Sequence, residues 1–137
     1  MTVPAPLARL ADEQFVSLTT FRRSGESVDT PVWIARDGDG LVVTTPAASG
    51  KVKRLRRDPR VELRPCTRSG KVAEGVTPVP AVAVVEATSA AATDALKRKY
   101  GVQYRLISLV ERLVARRGRE RVILRITAAE PERGSTA

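Results

Sequence analysis

Twelve consecutive residues, SGKVKRLRRDPR from Ser49 to Arg60, set six basic side chains against one carboxylate, Asp58, directly after an apolar, β-branched run. Basic groups at this density bind anions: an ammonium meets phosphate or carboxylate as a compact point charge, and a guanidinium meets it as a planar fork. Only five of the 24 basic residues are lysine, and two of those five are Lys51 and Lys53. The stretch is compatible with a solvated helix face, a nucleic-acid patch, or a seat for a small, multiply anionic cofactor.

What the chain lacks narrows its chemistry. It has no histidine, which removes imidazole-dependent triads, the usual zinc-hydrolase ligand sets and the commonest general base. A single cysteine, Cys66, permits neither an internal disulfide nor a Cys-x-x-Cys clip, and a buried structural thiol is its expected role. Catalysis is therefore expected to rest on a bound cofactor, with no metal site and no catalytic side chain assigned. Tyr100 and Tyr104 could give a proton to a substrate or simply pack a helix. Trp33, the only tryptophan, could belong to the core or to a binding wall.

The formal net charge of +9 attracts anions of every kind without selecting one. Aromatic residues make up 4% of the chain, too few for a stacking surface, so no nucleic-acid partner is expected. A second basic region, Lys97 to Arg121, flanks a Leu/Val stripe; one buried helix face explains it, and its charges could also widen an anion-attracting rim. No segment approaches membrane-spanning length, and the start, MTVPAPLARLADEQF, is not a secretory signal, so a cytoplasmic protein with no membrane partner is expected.

These groups need elements to position them. The length of 137 residues suits one domain over residues 1–137, with a loose tail from about residue 130. Leu7, Leu10, Ala11 and Phe15 recur at helical spacing. FVSLTTFRR alternates as a strand and turns at Ser24-Gly25 into a second strand, SVDTPVWIARD, whose Pro31 suits a sheet edge. A turn at DGDG leads to a third strand, LVVTT. Ser49 can cap a helix that buries Val52 and Leu55 and stops at Asp58-Pro59. RVELRPC and VPAVAVVEAT read as further strands, SAAATDALKRKYG as a helix ending at Gly101, QYRLISLVERLVARRG as another helix, and ERVILRITA as the last strand. Short antiparallel strands broken by a few helices predict a mainly β, α+β domain.

Three pieces together, TPVW, SGKVKRLRRDPRVELRPC and KYG, give the chain its resemblance to a known family. It resembles the split β-barrel flavin and deazaflavin proteins related to pyridoxamine 5′-phosphate oxidase, and within them the F420-dependent oxidoreductases. The resemblance implies a six- to seven-stranded antiparallel split β-barrel with short flanking helices, homodimeric, holding its cofactor where two barrels meet. It implies that Ser49, Lys51, Lys53 and Arg54 receive the cofactor's phosphate, and that Thr30, Pro31, Val32, Trp33, Thr44 and Thr45 line its ring system and side chain. The implied activity is hydride transfer between reduced coenzyme F420 and an activated double bond of a small-molecule substrate. The alternatives are an FMN-binding oxidase or reductase, or a noncatalytic F420- or tetrapyrrole-binding protein.

Overall fold

A computed structural model describes residues 5–38, 40–87, 90–104, 106 and 121–129. Helix α1 (Ala5–Leu10) leads into strands β1 (Val16–Phe21), β2 (Ser27–Val32), β3 (Ala35–Asp37) and β4 (Gly40–Pro46). Helix α2 (Gly50–Arg57), strands β5 (Arg60–Pro65) and β6 (Val79–Ala87), helix α3 (Ala90–Tyr100) and strand β7 (Arg121–Ala128) follow. The strands form one antiparallel sheet in the order β2-β1-β5-β6-β7-β4-β3. The mainly β architecture agrees with the sequence reading.

The expected second strand is in fact two. β2 and β3 lie at opposite ends of the strand order, although only Trp33 and Ile34 separate them. A flat sheet of this width would place its outer strands roughly 29 Å apart at ~4.8 Å per strand. Three residue steps from Val32 to Ala35 reach only about 11 Å. The sheet must therefore roll until its edges approach, as a split barrel does. Val32 from one edge and Leu41 and Val43 from beside the other share one buried cluster with Val16, Leu63 and Leu124.

Alternation along the strands supplies two cores. Leu41 and Val43 of β4, with Leu124 and Ile126 of β7, point into the barrel, where Leu7, Leu10 and Leu55 close it. Val42 and Ile123 point outward and pack under Ala92, Ala95, Leu96 and Tyr100 of α3. In α2, Val52 and Leu55 are buried as their spacing predicts, and the Asp58 N–H closes the helix on the Arg54 carbonyl at 2.8 Å. Gly101, at φ 51°, ends α3 in the left-handed conformation, its N–H bonded to the Lys97 carbonyl at 2.8 Å.

Most of the helix expected over QYRLISLVERLVARRG, and the tail from about residue 130, lie outside the described residues. Among the described residues, no helix is long and apolar enough to cross a membrane.

Candidate functional site

The crossover from β2 to β3 is held by α3. Lys99 Nζ donates to the carbonyls of Ala11 and Ile34, both at 2.6 Å, and to that of Glu13. The Tyr100 hydroxyl accepts from the Ile34 N–H at 2.9 Å and lies 2.8 Å from the Gln14 carbonyl. Burial raises the Tyr100 phenol to about 12, so the group stays neutral and bonded. The KYG stretch thus anchors the backbone that leads into β1 and the crossover. This placement assigns Tyr100 to packing and leaves Trp33 facing outward beside it.

Beside Trp33 opens a cleft of about 270 Å³. Phe15, Pro31, Val32 and Trp33 form its apolar wall, and Thr44, Thr45 and Pro46 at the end of β4 form its floor. Lys51, Arg121 and Tyr104 complete it. The β4–β7 ladder pairs Pro46 with Arg121, and this register carries Arg121 to the mouth of α2. There Arg121 Nε donates to Thr44 Oγ1 at 3.0 Å and Nη2 to the Thr44 carbonyl at 3.3 Å.

The polar end is cationic. Lys51 is held below the ordinary lysine range, first by burial and then by the neighbouring charges of Arg54 and Arg121. A cation kept against like charges and partial desolvation gains free energy when an anion arrives, so this end of the cleft favours a phosphate or carboxylate. Ser49 occupies the N-cap in extended conformation, yet its side chain caps no amide; its oxygen lies 3.4 Å from Thr45 Oγ1. The first turn of α2 therefore turns amides toward the same cationic corner without a capping hydroxyl of its own.

Of the residues singled out from the sequence, Pro31, Val32, Trp33, Thr44, Thr45 and Lys51 line the cleft together. Ser49 reaches it through Thr45. Arg54 stands behind it, its Nε donating to Thr20 Oγ1 at 2.7 Å, and contributes charge rather than contact. Thr30 pairs with Leu18 in the β1–β2 ladder, away from the lining. Lys53 is exposed on α2 and does not line the cleft. Phe15, Pro46 and Arg121 were not singled out as site residues; Arg121 arrives only through β4–β7 pairing, which no local pattern announces.

Trp33 both packs against α3 and borders the cleft. One side packs on Tyr100, with ring centroids 4.4 Å apart, and the indole also lines the cleft near Tyr104 at 6.3 Å. Cys66 is partly buried, and burial pushes its thiol up, away from reactivity. Among the described residues, no group of three or more metal-ligating side chains occurs.

An aromatic and apolar wall, two threonine hydroxyls and a cationic corner suit a flat heteroaromatic group bearing a phosphorylated chain. The family described as Pyridoxamine 5'-phosphate oxidase matches residues 4–132, and the chain belongs to it. No curated protein sequence matches the chain. Among solved structures, HutZ, the heme storage protein from Vibrio cholerae, superposes with a TM-score of 0.60 at 14% identity, over 96% of this chain and 93% of its own. An F420 reductase superposes with a TM-score of 0.56 at 18% identity, over 93% and 97%. A FAD-binding protein from Mesorhizobium loti gives 0.52 at 16% identity, over 95% and 91%. At these identities the superpositions carry the fold.

Proposed function

We propose that this member of the pyridoxamine 5′-phosphate oxidase family binds coenzyme F420 in the Trp33–Lys51 cleft and reduces an activated double bond of a small organic substrate. The observation that carries the reading is the pairing, in one cleft, of an aromatic wall at Phe15 and Trp33 with the cations Lys51 and Arg121. When bound and reduced, the deazaflavin supplies a hydride to one carbon of the double bond, while a proton completes the other. The protein's own groups position and neutralise. Lys51, Arg121 and the first turn of α2 hold the phosphate, Thr44 and Thr45 lie along the chain, and Phe15 and Trp33 exclude water from one side of the ring.

Further support comes from charge. F420 carries a phosphate and a string of carboxylates, and α2 offers Arg54, Arg56 and Arg57 beyond Lys51. The cleft's volume of about 270 Å³ is below the ~300–1,000 Å³ usual for a small-molecule site. We therefore assign the rest of the enclosure to a second copy of the chain, in a homodimer.

FMN is the second reading, because the cationic corner seats one phosphate as well as it seats the start of a longer anionic tail. Parallel titration of the purified protein with F420 and FMN decides between them. Saturable, salt-sensitive binding with F420 the tighter ligand supports the proposal, and preference for FMN overturns the deazaflavin assignment. Binding of either cofactor with no reduction of enones or quinones would make the protein a carrier.

A further inference from the structure

A second cleft, of about 360 Å³, shares Phe15 and Trp33 with the first. Both aromatic residues line both clefts, so the two adjoin along these rings. Among the described residues, the remaining lining is Arg68, Gln103 and Leu106. Leu106 is 57% exposed, which leaves its side chain open to a molecule in this cleft.

Arg68 is the only charged group of that lining among the described residues, and its guanidinium stands 5.9 Å over the Phe15 ring. It makes no ion pair among the described residues. Its backbone is held firmly. The Thr67 N–H bonds the Lys71 carbonyl at 3.0 Å, the Gly70 N–H bonds the Thr67 carbonyl at 2.8 Å, and Thr67 Oγ1 accepts from the Lys71 N–H at 3.1 Å. Gly70, at φ 94°, lets the turn settle against Pro31, with ring atoms 3.5 Å from where a Cβ would stand. Arg68 is therefore an exposed cation, with no ion pair among the described residues, on a turn whose backbone is already bonded. Gln103 adds direction. Its carbonyl oxygen accepts from Gln14 Nε2 at 2.9 Å, which turns its amide N–H groups to other partners.

We propose that this second cleft is the acceptor subsite and takes a compact, largely apolar organic carboxylate, its body between Trp33, Phe15 and Leu106 and its carboxylate on Arg68. The inference rests on the cofactor assignment above for the word acceptor, but the binding it describes does not. The volume sits near the lower end of the ~300–1,000 Å³ range for such sites, which fits one or two rings and not an extended chain.

The test uses the sole tryptophan as reporter. Quenching of Trp33 fluorescence is followed on adding trans-cinnamate and 2-naphthoate, and in parallel the neutral cinnamyl alcohol and 2-naphthalenemethanol, with and without saturating FMN or F420. The proposal expects the carboxylates to bind at least about tenfold more tightly than the alcohols. It expects Arg68→Ala to remove that preference and the carboxylates to bind with the cofactor present. No preference for carboxylates, a preference that survives in Arg68→Ala, or displacement by cofactor would each overturn it. The two readings fail separately: Arg68-dependent carboxylate binding in a protein that takes up neither cofactor sinks the redox assignment alone, and cofactor binding without carboxylate preference sinks the subsite alone.

Discussion

The Trp33 indole lies nearly parallel to the Tyr100 ring, planes 11° apart and centroids 4.4 Å apart, while the Tyr100 oxygen accepts from the N–H of Ile34, the residue after Trp33. One side chain of α3 therefore sets both the backbone and the ring of the crossover that forms the cleft wall. Tyr100→Phe would keep the stack and leave the buried Ile34 N–H without its acceptor. The expected cost is about 1–3 kcal/mol in chemical denaturation, with a shift in Trp33 emission. A variant as stable as the wild type, with unchanged emission, would show that the hydroxyl is not what holds the crossover.

The same phenol makes an alkaline prediction. Its folded pKa is raised to about 12 from 10.0, so between those values the folded chain holds a proton that the unfolded chain has lost. The stability it contributes is complete below pH 10.0 and is lost as the pH climbs toward about 12. Ultraviolet titration of tyrosinate should show one group ionising late, and Tyr100→Phe should delete that group and flatten part of the alkaline fall in stability.

Lys51 and Lys53 separate in the structure, although their sequence neighbourhood makes them look equivalent. Lys51 lines the cleft, and Lys53 is an exposed residue outside it. Lys51→Ala should weaken cofactor binding by roughly tenfold to a hundredfold, the equivalent of a charge-assisted hydrogen bond of about 1.5–3 kcal/mol. Lys53→Ala should change it little at moderate salt. Equal losses in the two single variants, measured by titration, would mean that diffuse charge rather than a seated phosphate governs affinity.

Because burial and two arginines lower the Lys51 pKa from 10.5, the ligand-free fold binds fewer protons than the unfolded chain just below pH 10.5. Its contribution to ligand-free stability therefore rises with pH in that window. Anion binding runs the other way, since only the charged ammonium attracts phosphate. Cofactor affinity should fall at an alkaline pH below the ordinary lysine range, and Lys51→Arg should keep its affinity to higher pH. Coincident profiles for the two proteins would remove Lys51 from the phosphate seat.

Much of this was legible in the chain, for a physical reason. Val42 pointing one way and Leu41 and Val43 the other is a period of two, and Val52 with Leu55 is a helical spacing; both are local. SVDTPVWIARD is also locally a strand from end to end. Its division depends on which strands pair with each half, β1 for Ser27–Val32 and β4 for Ala35–Asp37, and pairing is long-range. Arg121 joins the cleft for the same reason, through its register with Pro46. Lys99 looks like one more cation in a basic region, and only the fold reveals that it is tied to three carbonyls.

Tyr104 separates binding from turnover. Of the two tyrosines near the site, Tyr100 spends its hydroxyl on the crossover backbone, whereas Tyr104 lines the cofactor cleft beside Trp33, the residue that the proposed acceptor subsite shares. If the Tyr104 phenol delivers the proton that accompanies hydride transfer, Tyr104→Phe should lower kcat by at least about a hundredfold, as expected for loss of a positioned general acid. Cofactor affinity should stay within about twofold, because the phosphate seat is untouched. The discriminating measurement is the single-turnover rate in light and heavy water. A Tyr104→Phe rate equal to the wild type, with the same solvent isotope effect, assigns the proton to water and leaves Tyr104 as a wall of the cleft.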